Sequence, residues 1–325
     1  MAGGRRRGVT LGGVAAPARR AYLLAMSETS MEGDAAGRAV SSKPALIRKI
    51  IRHAPFIGAS PAVVPVLALH GEISAGGRLR RSLSLADYAR PIEQAFKTSG
   101  AKAVALTINS PGGSPVQARL ICDRIRAHAE EKKLPVYAFA EDVAASGGYM
   151  LALAADEIYA DASSILGSIG VISAGFGFQN FIARYGVERR VYAEGDNKGA
   201  LDPFLPERKE DVDMLRDIQK DVHESFKQLV KARRGDRLGD DEKLIFSGAF
   251  WSATRAKALG LIDGIAEPRG FFRAKFGEDV KLKRIPTDGR SLVARLFSGR
   301  ARAAEIAEDV LDLARARALW SRYGL

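Results

Sequence analysis

Three short apolar runs constrain this chain more than any other feature. They cover residues 62–70, 103–108 and 135–140, and each leads through a small-residue or glycine-containing loop into helical periodicity. Runs of this length bounded by turn residues predict buried strands. After the first run, Gly76-Gly77-Arg78 marks a loop, and Ser84 with Asp87 forms a capping-box pattern ahead of Leu85, Tyr88, Ile92 and Phe96 on one helical face. After the second, Asn109-Ser-Pro-Gly-Gly-Ser114 opens a predicted helix over 115–132, with Val116, Leu120, Ile121 and Ile125 as its buried face. After the third, an Ala/Leu-rich helix is predicted over 147–155. This βαβαβα order requires right-handed crossovers and hence an α/β fold, a mostly parallel sheet flanked by helices. Functional loops in such sheets lie at the carboxyl ends of the strands. Both the Pro-Gly-Gly loop and the turn carrying Ser146 fall there.

Ser146 sits at or next to the start of the third helix, and two readings are open. Serine is a favoured N-cap. A nucleophile is also well served at that position, because helix N-termini offer free N–H groups and favour negative charge. Further along, the pattern predicts a short strand at 157–159, a glycine-punctuated apolar segment at 165–172, a helix at 179–185 and a strand at 187–193. A polar loop at 194–206 contains Lys198. A long helix follows over 207–233, with Val212, Leu215, Val222, Phe226 and Leu229 on one face, then a helix at 251–259 and a short strand at 261–265.

At 325 residues the chain has room for one or two domains. The reading divides it into a disordered basic extension (1–44), a short helix and linker (45–61), the α/β domain (62–285) and an amphipathic helical C-terminal segment (286–325). Cys122 is the only cysteine, which excludes an intrachain disulfide and cysteine-rich metal sites; no metal or cofactor is expected. The first fifty residues hold nine Arg or Lys against three acids, half of the net charge of +12. Such an arm suits an anionic surface or is a soluble tail. No stretch approaches the roughly 20 apolar residues of a membrane span. Arg19 and Arg20 interrupt what begins like a signal peptide, and an organellar transit peptide or a start at Met26 or Met31 fits as well. The location expected is cytoplasmic or peripheral to a membrane.

A serine nucleophile needs a base and an oxyanion hole. None of the four histidines (His53, His70, His128, His223) lies in a motif resembling that of a serine hydrolase, and all four read as surface or structural. A lysine can serve instead, but at its reference pKa only about 0.04% is neutral at pH 7, so burial must depress it by several units. Lys198 is one candidate among many lysines, and a solvated loop charge is the simpler reading of it.

Taken together, the Asn109–Ser114 loop, Ala144-Ala-Ser-Gly-Gly-Tyr-Met150, Leu166-Gly-Ser-Ile-Gly-Val-Ile172 and Asn197-Lys-Gly-Ala-Leu-Asp-Pro-Phe204 resemble the signal peptide peptidase A and SohB-like serine proteases of peptidase family S49. Phe246-Ser-Gly and Gly260-Leu-Ile-Asp-Gly264 resemble that family's closing motif. The resemblance covers roughly residues 62–268. It implies the ClpP/crotonase-like fold of repeated ββα/βα units, with Ser146 as nucleophile, Lys198 as general base and Ser168 orienting the lysine. It further implies an oxyanion hole of backbone N–H groups from Gly112 or Gly113 together with Ser146 or Gly147. Expected partners are peptide substrates, either cleaved signal peptides or other apolar membrane-derived peptides, bound by strand addition. A homo-oligomeric ring is also implied, with serine and lysine able to come from adjacent protomers, together with peripheral membrane contact and no nucleic acid. Two departures stand out: many relatives carry an N-terminal membrane anchor that is not seen here, and Asn197 and Gly199 flank the lysine where many have an aromatic and an acid. The competing readings are a crotonase-like acyl-CoA enzyme, for which the matched loops lack a Glu pair, and a non-catalytic scaffold at a membrane surface.

Overall fold

The apolar runs become the centre of one twisted sheet. In the computed structural model, which describes residues 61–75, 82–287, 314 and 317–324, β1 (Val63–His70), β2 (Val104–Ser110) and β3 (Val136–Ala145) lie side by side and parallel, with Leu67 opposite Leu106 and Leu106 opposite Ala138. All these residues belong to one unit spanning 59–325. The expectations for 1–44 and most of 45–61, for the 76–78 loop and for most of the C-terminal helical segment lie outside the described residues.

Five shorter strands complete the sheet: β4 (Glu157–Ala160), β5 (Ile165–Gly167), β6 (Phe250–Ser252), β7 (Gly264–Ile265) and β8 (Lys281–Arg284). The order is β6-β5-β3-β2-β1-β8, with β4 paired to both β3 and β7, and only β5 with β6 is antiparallel. The chain is thus α/β with a mostly parallel sheet.

The third strand does not end at residue 140, as its apolar run suggests, but continues to Ala145. Its first half pairs with β4 and its last three residues with β5. Glu141 and Asp142 interrupt the run, and the Asn109 side chain spans the break. Asn109 Nδ2 donates to Asp142 Oδ2 at 2.6 Å, and the Val143 N–H donates to Asn109 Oδ1 at 3.3 Å. This extension delivers Ser146 to the sheet's carboxyl end.

The first helix, α1 (Leu85–Phe96), is capped as expected. Ser84 Oγ accepts from the Asp87 N–H at 3.2 Å and donates to the Asp87 carboxylate at 3.0 Å. Its successor α2 (Pro115–Lys132) buries Ala118, Ile121, Cys122, Ile125 and Ala129. Val116 and Leu120, expected inside, are 62% and 41% exposed. The small residues Ala118, Cys122 and Ala129 share the inner stripe with Ile121 and Ile125, letting the helix pack closely beside α3 (Gly147–Ala152).

Residues 171–204 are irregular apart from α4 (Gln179–Arg184). The strand expected at 187–193 does not form. Among the described residues no strand pairs with it, its side chains stay exposed, and Arg189 and Arg190 pair locally with Asp202 and Glu188 at 3.0 and 2.7 Å. The long helix α5 (Lys209–Arg234) follows, then α6 (Glu242–Ile245), α7 (Ala253–Ala258) and α8 (Pro268–Phe276). Only the last turns of α5 bury their expected face, through Phe226 and Leu229 together with Val230 and Arg234. The helix predicted from 251 begins at Ala253, because Trp251 is held on β6 opposite Leu166.

Candidate active site

Ser146 follows the last residue of β3 and precedes α3, and the turn between them is tight. Its N–H donates to the Gly167 carbonyl at 2.8 Å, and its φ of 54° and ψ of −120° place a side-chain-bearing residue in strained backbone territory. Ser146 occupies the N-cap position, yet its hydroxyl makes no capping hydrogen bond. The cap reading is therefore not realised. Its half-buried side chain instead borders a cavity of about 430 Å³, shared with Gly113, Gly147 and Ser168.

The Pro-Gly-Gly loop is fixed against the segment after β1. The Ile73 N–H donates to the Gly112 carbonyl at 2.9 Å, and the Ser114 N–H donates to the Ile73 carbonyl at 2.7 Å. At Gly113, where φ is +135°, an added Cβ would lie 2.0 Å from the Ile73 oxygen, so only glycine fits. The two loop glycines then differ in what they can offer. The Gly112 N–H is engaged by Ser110 Oγ at 3.3 Å, whereas the N–H groups of Gly113 and Gly147 meet no acceptor among the described residues. Gly113 and Gly147 are thus the open donors beside Ser146. Gly112 is the close-packing residue behind it.

Ser168 is buried at the end of β5, with a φ of 51° and its N–H donating to the Ala249 carbonyl at 2.7 Å. Lys198 lies elsewhere. It is exposed, its backbone N–H closes a turn onto Gly195 at 3.1 Å, and it does not line the Ser146 cavity of the single chain. The structure therefore brings Ser146, Ser168, Gly113 and Gly147 together and leaves Lys198 outside.

Three neighbours carry no site role in the sequence: His223, which reads there as surface or structural, and Leu319 and Arg322. His223 on α5 lines the cavity, and its Nε2 stands 3.1 Å from the Ile169 carbonyl oxygen. That bond requires the proton on Nε2 and leaves Nδ1 as an acceptor when the ring is neutral. The sequence does carry a signal for it, since His223 lies between Val222 and Phe226 on the face predicted to be buried. Leu319 and Arg322 also line the cavity, and nothing in their local sequence marks them.

Known proteins similar to this chain bear on that site. Residues 128–271 match the profile of peptidase family S49. The chain is 30% identical over 165 residues to the chloroplastic serine protease SPPA of Arabidopsis thaliana, covering 50% of this chain and 24% of that protein. Against protease 4 of Haemophilus influenzae it is 29% identical over 208 residues, covering 63% and 33%. It is also 49% identical over 293 residues to a protein of Brucella abortus named Na(+)/H(+) antiporter NhaA, covering 87% of this chain and 39% of that one. The chain spans less than half the length of these three relatives. Among solved structures it is similar to a mutant of the 1510-N membrane-bound stomatin-specific protease in complex with a substrate peptide, at 15% identity and a TM-score of 0.45, covering 74% of this chain and 98% of that one. The chain is SppA/S49-like across the segment that holds Ser146, Ser168 and Lys198. Among the described residues, no helix is long and apolar enough to cross a membrane.

Proposed function

We propose that this chain is a serine endopeptidase acting on apolar peptide segments, cleaved signal peptides among them. One observation carries the reading: an uncapped, backbone-strained Ser146 shares a cavity with the open N–H groups of Gly113 and Gly147. Ser146 Oγ attacks the scissile carbonyl carbon while its proton passes to the base. The carbonyl oxygen becomes an oxyanion held by the two N–H groups, and the C–N bond then breaks as the base returns the proton to the leaving amine. Water repeats the sequence on the acyl ester and frees Ser146. Met150, Val171, Ile172 and Phe226 on the cavity wall suit apolar side chains.

Lys198 is the base in this reading, supplied to Ser146 by an adjacent copy of the chain. Its location outside the cavity supports that arrangement, as does the surface around it. Phe176, Phe181, Tyr185 and Tyr192 are 81%, 61%, 67% and 92% exposed on the same irregular segment. An exposed apolar surface of that kind marks an interface, and a second copy in a homo-oligomer would bury it. Contact with a membrane surface, from which such peptides come, belongs to the same proposal.

A second assignment of the base rests on one specific observation: His223, not Lys198, lines the cavity of the single chain. Peptide hydrolysis by Ser146→Ala, Lys198→Ala and His223→Ala separates the two. Mixing inactive Ser146→Ala with inactive Lys198→Ala protein should restore part of the activity if the pair forms between copies. Full activity in Lys198→Ala with loss in His223→Ala would transfer the role to the histidine, and full activity in Ser146→Ala would end the peptidase reading.

A further inference from the structure

One wall of the Ser146 cavity comes from neither the sheet nor its loops. Leu319 and Arg322 line it, and both belong to the described C-terminal segment 317–324. This segment is anchored beside the nucleophile. Tyr323 is only 7% exposed and packs with Trp320 against Val143 and Ala145, at the end of β3 that leads to Ser146, and against Ile165 at the start of β5. The Tyr323 ring meets Phe250 edge-on, with centroids 5.1 Å apart, and its hydroxyl donates to the Pro111 carbonyl at 3.4 Å. The residue next to this anchor is Arg322.

The cavity's charge is one-sided. Arg322 and His223 are its only ionisable lining residues, and no Asp or Glu lines it among the described residues. Arg322 has no carboxylate partner among the described residues either; its guanidinium carbon stands 6.0 Å from the Tyr323 ring centroid. Arg322 is exposed at the cavity rim, and a guanidinium with no carboxylate partner among the described residues is matched by a carboxylate, which it binds through charge-assisted, bidentate hydrogen bonds. Without such a partner, an acidic group entering the cavity would lose hydration with nothing in return.

We propose that Arg322 is a specificity residue that takes a carboxylate of the peptide bound at Ser146. This rests on the serine peptidase reading above and narrows its substrate class to apolar peptides that carry a negative charge close to the cleavage point. The carboxylate comes either from an acidic side chain or from the free C-terminus of a short peptide.

Three peptides of one apolar sequence distinguish these sources: a C-terminal amide, the same peptide with a free C-terminal carboxylate, and the amide with one internal Glu. Wild-type protein should favour one of the carboxylate peptides over the neutral amide by about tenfold in kcat/KM, mainly through KM, as a charge-assisted hydrogen bond gives. In Arg322→Gln that ratio should fall to about one, and Arg322→Lys should keep part of it. Each ratio is taken within one variant, so a general loss of folded protein does not imitate the result. Fluorescence anisotropy of the same peptides on Ser146→Ala and on Ser146→Ala/Arg322→Gln gives the ratio without turnover. No preference in wild type, or an unchanged preference in Arg322→Gln, would overturn the proposal. Hydrolysis persisting in Ser146→Ala would instead overturn the serine reading, and the anisotropy ratio would still report on Arg322.

Discussion

Gly112 stands directly behind Ser146: a Cβ placed on Gly112 would lie 2.8 Å from the Ser146 Cβ and 3.0 Å from the Gly147 nitrogen. The first is shorter than packed atoms show and the second is tight, and with the Ala145 carbonyl the groups met are Ser146 and the Gly147 N–H, the nucleophile and an oxyanion donor of the proposed mechanism. The φ of +106° at Gly112 adds strain for any larger residue. Gly112→Ala should therefore shift the Ser146 turn. Losing one oxyanion donor lowers turnover about 10²- to 10³-fold, and that is the expected drop in kcat, measured beside a thermal melt to confirm folded protein. Turnover near the wild-type value would contradict the packing role.

The strain at Ser146 itself predicts a trade between stability and activity. Its φ of 54° and ψ of −120° suit glycine. Ser146→Gly should abolish peptide hydrolysis yet stabilise the fold by about 1 kcal/mol, a rise of about 2–4 °C in Tm for a domain of this size. Ser146→Ala keeps the Cβ and should show no such rise. Calorimetry of the three proteins decides it, and equal Tm values for Gly and Ala would show that the turn carries no strain.

The elements that sequence made legible are those with a local cause. Ser84 and Asp87 cap a helix wherever it packs, and the apolar runs at β1 and β2 can be buried only in a sheet. The Pro-Gly-Gly loop and the Ser146 turn are legible because each follows an apolar run, and Ser168 through the glycine-punctuated segment that resembles the family motif; all three line one cavity. Features that depend on distant partners were hidden. Glu141-Asp142 resembles a strand end until Asn109 is known to bridge it. Residues 187–193 read as a strand, but no strand among the described residues pairs with them. Two readings gave no warning of their neighbours: Gly112 and Gly113 look equivalent until Ser110 Oγ engages one N–H, and Arg322 reaches the cavity only through packing of Tyr323 more than two hundred residues from Pro111.

Cys122 offers a probe of the native state. It faces the core from α2, 1% exposed, and burial pushes its thiol pKa up to about 12. The thiolate is the reactive species, so native protein should resist a thiol-directed reagent at pH 8 and react fully in denaturant. Native reactivity comparable to that of the unfolded chain would mean that α2 opens readily from the sheet.

Arg234 and Asp263 tie the end of α5 to the turn before β7. Arg234 is 2% exposed, and its Nη1 and Nη2 donate to the two Asp263 carboxylate oxygens at 2.8 and 3.1 Å while its Nε donates to the Gly260 carbonyl at 2.8 Å. Burial acts to raise the Asp263 pKa, but hydrogen bonds from Arg234 and from the Ile158 N–H, with the charges of Arg234 and Arg237, outweigh it and hold the carboxyl below its ordinary value. A carboxyl depressed in the folded state contributes stability above its unfolded pKa of about 3.9, and that contribution disappears as pH falls through the lower, folded value. Asp263→Asn leaves a buried guanidinium without its counter-charge, a change that costs about 3–5 kcal/mol for such pairs. Urea unfolding at pH 7 should show a loss of that order. Below about pH 4, where the unfolded chain begins to take up the proton and the wild-type advantage falls, the gap between the two proteins should narrow. A gap constant from pH 7 to pH 3 would show that the Asp263 charge contributes nothing and that the loss at neutral pH comes from hydrogen-bond geometry alone.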